Sequence, residues 1–377
     1  MSADIPFFDL RRDAADRRED LLAAVAEVLD TGQFIGGPIV ERFEEGFARF
    51  LGARHCVAVG NGLDALRISL ESAGIGPGDE VLVPGFSYYA TWLAVMQTGA
   101  TPVPVDVVEA TASIDPELLA QRIGPRTRAV LPVHLYGIPC DMPAITALAR
   151  DKGLFVLEDV AQAHGALVQG RRTGTWGSAG AFSFYPTKNL GALGDAGAIV
   201  TDDERLAAKA KSRRSYGQGA NKYDHVDSGW NSRLDPIQAA FLLRGLELLP
   251  EWTQARRRVA ATYREALADI VQAVVGPGAV EGSVWHHFVV RALDREALRA
   301  HLAERGVGTD VHYPYTLASV GPSREAAGDT LVELPASEAL AGSVVSLPIG
   351  PWLRDDEIER VADVLAAVPR RLFVAPS

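Results

Sequence analysis

Short apolar runs alternate with helical patterns between residues 55 and 202, and this alternation constrains the fold more than any other feature. In most runs the apolar residues are consecutive, which is typical of strands covered on both faces. Helical patterns fit between the runs, as in Leu63, Leu66 and Leu70. The sequence therefore predicts an α/β fold with a largely parallel sheet. The predicted strands are CVAV (56–59), EVLVP (80–84), TPVPVDV (101–107), AVLPVH (129–134), LFVLED (154–159), AGAFSFY (179–185) and GAIVTD (197–202).

The last third of the chain lacks this regular alternation, which indicates a smaller α+β domain packed on the large one. We place the boundary near residue 245, which gives a large domain of residues 1–245 and a small domain of residues 246–377. Residues 1–50, with a helix over 13–30, are expected to lie over the large domain. The predicted small-domain elements are a helix beginning at Pro250 (250–270), a strand (284–292), a helix (294–306), a strand (307–314) and a last helix (355–368).

The composition argues against several classes of function. A net charge of −11 disfavours a sequence-independent nucleic-acid binder, which needs a basic face. The two cysteines, Cys56 and Cys140, lack the spacing of a metal site or a disulfide framework, so we expect no metal and a reducing compartment. There is no apolar signal region, and no apolar run approaches the roughly 20 residues of a membrane span. We therefore expect a cytoplasmic protein.

A turn between a strand and a helix is the first candidate site. In VAVGNGLDALRISL (57–70) the strand ends at Gly60, and Asn61 is placed to cap the helix that follows. Free backbone N–H groups at a helix start attract an anion, and Gly62 permits a close approach. The segment predicts a phosphate site, although Asn-Gly is also common in ordinary turns.

A carboxylate ends the predicted strand LFVLED (154–159). Asp159 lies where ligands bind in open α/β sheets, at the carboxyl end of a strand. Because an unpaired buried carboxylate is costly, Asp159 should face a cation such as a protonated ring nitrogen, unless it caps a helix. His164, which follows shortly, is interpreted as a packed or hydrogen-bonded histidine.

Lysine is rare in this chain, in which arginine carries almost all of the 37 positive charges. Lys188 lies between the strand AGAFSFY (179–185) and the glycine-rich loop GALGDAG (191–197). A lysine can lose its proton and form a Schiff base, whereas an arginine cannot. Its presence here favours a chemical role, with an ordinary surface lysine as the alternative.

Together the three segments provide a phosphate cradle, a carboxylate for a cationic ring nitrogen and a Schiff-base lysine. These are the needs of pyridoxal 5′-phosphate (PLP). Their order along the chain makes coincidence improbable.

With these residues in place, the chain resembles the sugar aminotransferases of the DegT/DnrJ/EryC1/StrS family, within fold type I of the PLP enzymes. The resemblance is close to full length and rests on a combination of segments. It implies a large domain with a mostly parallel seven-stranded sheet and a smaller C-terminal α+β domain. The segments are FIGGP (34–38), AVGNGLDAL (58–66), PGFSYYAT (84–91), VHLYG (133–137), EDVAQAHGA (158–166), FSFYPTKNLGALGDAGA (182–198), GWNSRLDPIQAA (229–240) and HYP (312–314).

The resemblance assigns roles around the cofactor ring. Lys188 would hold PLP through a Schiff base and, once released, carry a proton between the substrate carbon and the cofactor. Asp159 would pair with the ring nitrogen and keep it protonated. Gln162 would lie near the ring oxygen, and Tyr88 would stack on the ring face.

The resemblance also assigns the phosphate site. The backbone of Gly62 and Leu63 and the hydroxyl of Ser183 would bind the phosphate, and Asn231 would reach the phosphate of a neighbouring subunit. That last role implies a homodimer with shared active sites. The chain departs from the family at Leu63, where a Thr or Ser is common, so only the backbone N–H of Leu63 can serve.

Two substrates are implied: an amino-acid donor, expected to be L-glutamate, and a nucleotide-linked keto sugar. The segment GNGLDAL (60–66) is similar to that of the family branch that acts on dTDP-linked keto-deoxysugars in antibiotic amino-sugar biosynthesis. Amination at C3 is slightly favoured over amination at C4. Because aromatic residues also fill protein cores, it is open which of the aromatic candidates contact the substrate. The candidates for the sugar-nucleotide wall are Phe34, Tyr185, Tyr223, His312 and Tyr313.

Three alternatives stand beside this interpretation. A PLP-dependent sugar dehydratase of the same family would carry histidine at the position of Lys188. A non-catalytic regulator that retains the fold would be expected to have lost Lys188 or Asp159. A generic α/β protein that binds another phosphate would not capture PLP.

Overall fold

The structure is a computed structural model that describes residues 4–221, 223–276 and 282–374. None of the helices in this described part is long and apolar enough to cross a lipid bilayer. The helices are α1 (Leu10–Asp16), α2 (Arg18–Thr31), α3 (Pro38–Leu51), α4 (Gly62–Ser72), α5 (Tyr89–Gln97), α6 (Pro116–Arg122), α7 (Met142–Lys152), α8 (Glu204–Arg213), α9 (Pro236–Ala266), α10 (Arg295–Ala303), α11 (Gly321–Ala327), α12 (Pro335–Ser343) and α13 (Asp355–Ala367). The strands are β1 (His55–Val59), β2 (Glu80–Pro84), β3 (Thr101–Val105), β4 (Val107–Val108), β5 (Ser113–Ile114), β6 (Thr127–Val130), β7 (Phe155–Asp159), β8 (Leu167–Val168), β9 (Arg171–Arg172), β10 (Ala179–Ser183), β11 (Gly197–Thr201), β12 (Phe288–Arg291) and β13 (Val344–Leu347).

Seven strands form one sheet in the order β1-β11-β10-β7-β6-β2-β3. The pairs from β10 to β3 are parallel, whereas β11 runs antiparallel to both β1 and β10. Each of the seven strands coincides with one of the predicted apolar runs, so the α/β fold with a mostly parallel seven-stranded sheet is confirmed.

Both faces of the sheet are covered, which explains the consecutive apolar residues. In β1, Val57 and Val59 belong to one core cluster, together with residues of α4. Cys56 and Ala58 point to the opposite face and belong to a second cluster, with Phe43 of α3. Because successive side chains of a strand point to opposite faces, a strand between two layers must be apolar at every position.

The strand directions bring the candidate site to one edge of the sheet. Since β1 and β10 each run antiparallel to β11, they point the same way, and β7 runs parallel to β10. The turn at Asn61 follows β1, Asp159 ends β7 and Ser183 ends β10. Residues far apart in sequence therefore meet at the same edge, as expected for the carboxyl ends of such strands.

The C-terminal residues build a core of their own. It contains Val259 from the second half of α9, Val290 from β12, Val345 from β13 and Val361 from α13, and Ile5 from the N-terminal segment joins it. Helix α9 runs without a break through residue 245. The division into residues 1–245 and 246–377 stays a prediction.

Three sequence-based expectations about individual elements are wrong. The long helix begins at Pro236 rather than Pro250, which lies inside α9. Pro236 occupies the first turn, where its missing N–H costs nothing, and packing of α9 against α2 and α3 carries the helix past Pro250. Residues 307–314 form isolated bridges, Ile5 with Val307 and Asp310 with Ser346, instead of a strand. The expected helix over 13–30 is two helices that meet at Arg17.

Candidate active site

The turn after β1 forms a tight anion cradle. The side chain of Asn61 caps α4 by accepting from the N–H of Asp64. The N–H groups of Gly62 and Leu63 have no hydrogen-bond partner among the described residues. A Cβ added to Gly62 would lie 2.5 Å from the Cβ of Ser183, so only glycine permits this approach. Two free N–H groups and a hydroxyl therefore converge at the start of a helix.

Asp159 is a buried carboxylate held by two donors. It is 6% exposed, and it accepts from the N–H of Ala161 at 3.1 Å and from the hydroxyl of Thr91 at 3.0 Å. Burial raises the pKa of Asp159, while these two hydrogen bonds and the charge of Lys188 oppose the rise. Asp159 does not cap a helix, so its remaining lone pairs are available to a cationic ring nitrogen.

Lys188 carries an amine whose pKa is lowered towards neutral pH. Burial lowers its pKa to about 8, and the charge of Asp159 opposes that shift. The Lys188 amine forms no hydrogen bond or ion pair within residues 4–221, 223–276 and 282–374, while its backbone N–H is fixed by the carbonyl of Tyr185 at 2.8 Å. A lysine with a lowered pKa and no partner is the form that a Schiff base requires.

His164 is a packed residue beside this amine. Its ring lies 5.6 Å from the ring of Phe182 and 5.5 Å from that of Phe184. Burial, with a contribution from the charge of Lys188, lowers its pKa to about 3. A histidine held neutral in this way does not act as a proton carrier near pH 7.

A hydrogen-bonded network joins the large domain to the HYP segment. Gln162 accepts from the N–H of Tyr136 at 2.6 Å and donates to the hydroxyl of Tyr313 at 3.1 Å. The ring of Tyr313 lies 5.6 Å from that of Tyr88, which is 54% exposed. Three of the residues predicted from sequence, Tyr88, Gln162 and Tyr313, are therefore brought together.

The rings of three histidines, His286, His287 and His312, form a row. The ring of His312 stacks on His287 at 4.0 Å, and His287 lies 4.0 Å from His286. The charge of Lys188 contributes to the lowered pKa of each of them, after burial as the main cause. Within the described ranges, no group of His, Cys, Asp or Glu has the arrangement of a metal site.

Sequence reasoning missed Thr91, His286 and His287. Thr91 lies three residues after Tyr88, which is one helical turn and places both at the start of α5. This spacing from Tyr88 is the sequence signal from which Thr91 could have been predicted. Nothing in the sequence distinguishes His286 and His287 from other residues of a buried segment.

Four predicted residues lie apart from this buried group and are exposed. Phe34 is 54% exposed, Tyr185 51% and Tyr223 85%, and Asn231 is also exposed. The segment after Asn231 returns to the phosphate turn, since the hydroxyl of Ser232 accepts from the N–H of Gly60 at 3.0 Å. In the single chain these four side chains face solvent.

The residues present fit PLP. The cradle at Gly62, Leu63 and Ser183 suits its phosphate, Asp159 suits its ring nitrogen, and the partnerless amine of Lys188 suits its aldehyde. The three features stand at one edge of the sheet, as the cofactor needs.

Comparison with known proteins supports this interpretation. Residues 15–366 match the model of the DegT/DnrJ/EryC1/StrS aminotransferase family. The dTDP-3-amino-3,4,6-trideoxy-alpha-D-glucose transaminase of Streptomyces venezuelae is 46% identical, covering 96% of this chain and 95% of that protein. The dTDP-3-amino-3,6-dideoxy-alpha-D-galactopyranose transaminase of Aneurinibacillus thermoaerophilus is 43% identical, covering 96% of this chain and 98% of that protein.

A solved structure gives the same result. The crystal structure of DesV from S. venezuelae, in complex with a ketimine intermediate, superposes with a TM-score of 0.92 at 45% identity. The match covers 97% of this chain and 98% of that one.

Proposed function

The chain belongs to the DegT/DnrJ/EryC1/StrS aminotransferase family, and we propose that it transfers an amino group from L-glutamate to the 3-keto group of a dTDP-linked keto-deoxysugar. Family membership gives the enzyme class and the cofactor: the chain is a PLP-dependent nucleotide-sugar aminotransferase. The donor, the nucleotide and the carbon that receives the amine belong to the proposal.

The assignment of the reactive residue is supported chiefly by one observation, the partnerless amine of Lys188 with its pKa of about 8. Lys188 would hold the cofactor covalently and, once displaced by a substrate amine, would carry a proton between the substrate carbon and the cofactor. Bound PLP supplies an electron sink for the charge left on that carbon.

The other residues hold and tune the cofactor in this proposal. Asp159 keeps the ring nitrogen protonated, with Thr91 fixing the orientation of its carboxylate. Gln162 lies near the ring oxygen, and Tyr88 covers one face of the ring.

At the other end of the cofactor, the N–H groups of Gly62 and Leu63 and the hydroxyl of Ser183 bind the phosphate. Asn231 completes the phosphate site of a second subunit in a homodimer. Its exposure in the single chain is the support for that role.

The choice of C3 is supported by the two curated relatives described above, whose products carry the amine on C3. The sugar-nucleotide wall is assigned to two groups of side chains. His312 and Tyr313 lie against the buried network, whereas Phe34, Tyr185 and Tyr223 are exposed to solvent. A family dehydratase is disfavoured by the lysine at position 188.

A substrate panel tests the proposal. Purified, PLP-loaded protein is given L-glutamate and, in turn, dTDP-3-keto-6-deoxyhexoses, dTDP-4-keto-6-deoxyhexoses and 4-keto-pentoses, with the amino sugar measured by mass spectrometry. We expect the highest kcat/KM with a 3-keto sugar. A preference for a 4-keto sugar would overturn the C3 assignment, and release of the sugar hydroxyl without amination would indicate a dehydratase.

A further inference from the structure

A cavity of about 220 Å³ lies between the N-terminal helices, α9 and the loop that carries Lys188. The charged residues that line it are Asp13, Arg17, Lys188 and Arg256. Two of the three basic groups are arginines, which stay protonated in proteins, and a single carboxylate faces them. The cavity therefore carries an excess of positive charge, which favours an anionic ligand.

Arg17 is buried without a full set of partners. It is 8% exposed, and its guanidinium carbon lies 4.1 Å from the ring of Phe241 and 4.7 Å from the ring of Trp252. The distance between its Nη1 atom and Oδ2 of Asp13 is 3.7 Å, which is longer than a hydrogen bond. Its Nε and Nη2 atoms have no hydrogen-bond partner among the described residues.

Arg67 is a comparable buried arginine, although its Nε also lacks a partner among the described residues. It is 9% exposed and, like Arg17, lies over an aromatic ring, that of Trp230, at 3.7 Å. Unlike Arg17, it donates to a carboxylate of the chain, Asp64, at 2.5 Å. Arg17 has the burial and the stacking but lacks the short carboxylate contact, and two of its nitrogens rather than one are without a partner among the described residues.

Arg256 is a second cation that the backbone holds in place. It is 3% exposed, and its Nη1 donates to the carbonyls of Trp285, His286 and Ile349. All of the hydrogen bonds that it makes within the described ranges come from this one nitrogen. Its charge also acts on Asp13 across the cavity, where it opposes the rise that burial causes in the pKa of that carboxyl.

We propose that this cavity receives the distal carboxylate of a dicarboxylic amino donor, with Arg17 as its principal ligand and Arg256 as the second cation. The inference rests on the proposed function, because an amino acid must bring its amine to Lys188. Lys188 and Arg17 line the same cavity, and Arg17 is not among the charges that shift the pKa of Lys188, so Arg17 lies beyond the immediate surroundings of the amine. A donor with its amine at Lys188 therefore meets Arg17 with its far end.

Binding involves a turn of the guanidinium. Its Nε and Nη2 atoms are shielded from water in this structure. Because the group contacts two rings and makes no short bond to Asp13, it can turn away from Asp13 and present this edge to a carboxylate as a bidentate donor. The distal carboxylate of the donor thereby replaces Asp13 as the partner of the Arg17 guanidinium.

The test compares donors in a single half-reaction. PLP-loaded wild type and Arg17→Gln are mixed with L-glutamate or with L-glutamine, and the change in cofactor absorbance gives kcat/KM for each. We expect Arg17→Gln to lose about 100-fold with L-glutamate, the scale of two charge-assisted hydrogen bonds, and to change little with L-glutamine. Arg17→Lys should recover part of the loss. Equal losses with both donors, or no loss with L-glutamate, would overturn the proposal.

The matched control is Arg18→Gln, one residue along the same segment and exposed to solvent. It should leave both donors unchanged. Calorimetry with glutarate, a dicarboxylate without an amine, gives a readout that needs no turnover. Wild type should bind it, and Arg17→Gln should bind at least about tenfold more weakly. Equal, Arg17-dependent binding of inorganic phosphate would indicate a general anion site and reject the donor assignment.

Asp13→Asn provides a second route if Arg17→Gln does not fold. Removing the competing carboxylate should tighten glutarate binding, and weaker binding would contradict the model. The donor half-reaction needs no sugar, so failure of the sugar panel and failure of the Arg17 assignment are distinguishable. A protein that accepts no dicarboxylic amino acid overturns the inference regardless of the sugar.

Discussion

The buried half and the open half of the site differ in how completely one chain builds them. Asp159 is buried and oriented by hydrogen bonds, and the pKa values of Asp159 and Lys188 are both shifted by burial. The side chains of Asn231 and Tyr223 are exposed. The difference indicates that a single chain fixes the chemistry, whereas recognition on the open side is left to substrate and, as we propose, to a second subunit.

The largest effect is expected at the centre of the buried half. Lys188→Ala removes both the covalent link and the proton carrier, so activity should fall by at least about 10⁴-fold. Borohydride reduction followed by mass spectrometry checks the link directly. Covalent trapping of PLP by the variant would show that another lysine carries the cofactor.

Asp159→Asn should have the next largest effect. The amide keeps the size of the side chain but loses the charge that protonates the ring nitrogen, so kcat should fall by about 10²–10³-fold. Thermal unfolding should be close to that of wild type, which separates this loss from misfolding. A variant with unchanged kcat would remove Asp159 from the cofactor site.

The pH dependence of cofactor capture tests the amine itself. The pKa of Lys188 is lowered to about 8, so the neutral, reactive amine predominates above pH 8 and declines about tenfold per unit below it. The rate at which apoprotein captures PLP should therefore rise with pH and level off near 8. A rise that continues towards pH 10 would mean that the amine is not buried as described.

Asn231→Ala tests the open half and should have a smaller effect, about a tenfold weaker hold on PLP. Ser228→Ala, an exposed neighbour, is the matched control. Mixing Asn231→Ala with Lys188→Ala should restore activity, because a mixed dimer contains one site with both native residues. No restoration would place Asn231 and Lys188 of each site in the same chain.

Thr91→Val should have the smallest effect. It removes one neutral hydrogen bond to Asp159 and costs about 1 kcal/mol, or roughly fivefold in kcat. Since Ala161 still orients the carboxylate, the spectrum of the bound cofactor should persist. A loss as large as that of Asp159→Asn would show that Thr91 has a more direct role.

The comparison also explains which expectations held. The seven strands were predictable because each lies between two layers and must be apolar throughout. The helix start at Pro250 was wrong because packing against neighbouring helices overrode the proline signal. Asp159 was predicted from its place at a strand end, whereas His286 and His287 are defined by contacts with residues distant in sequence, Asn189 and His312 respectively.

The sequence by itself determined the sheet, the family and the order of the phosphate turn, the carboxylate and the lysine, since these depend on local patterns of residue type. Only the tertiary structure decided that Thr91 holds Asp159 and that, among the residues the structure describes, the Lys188 amine and two nitrogens of the buried Arg17 lack partners. Burial and partnership arise when distant segments pack together, and the pKa shifts of the site follow from that packing.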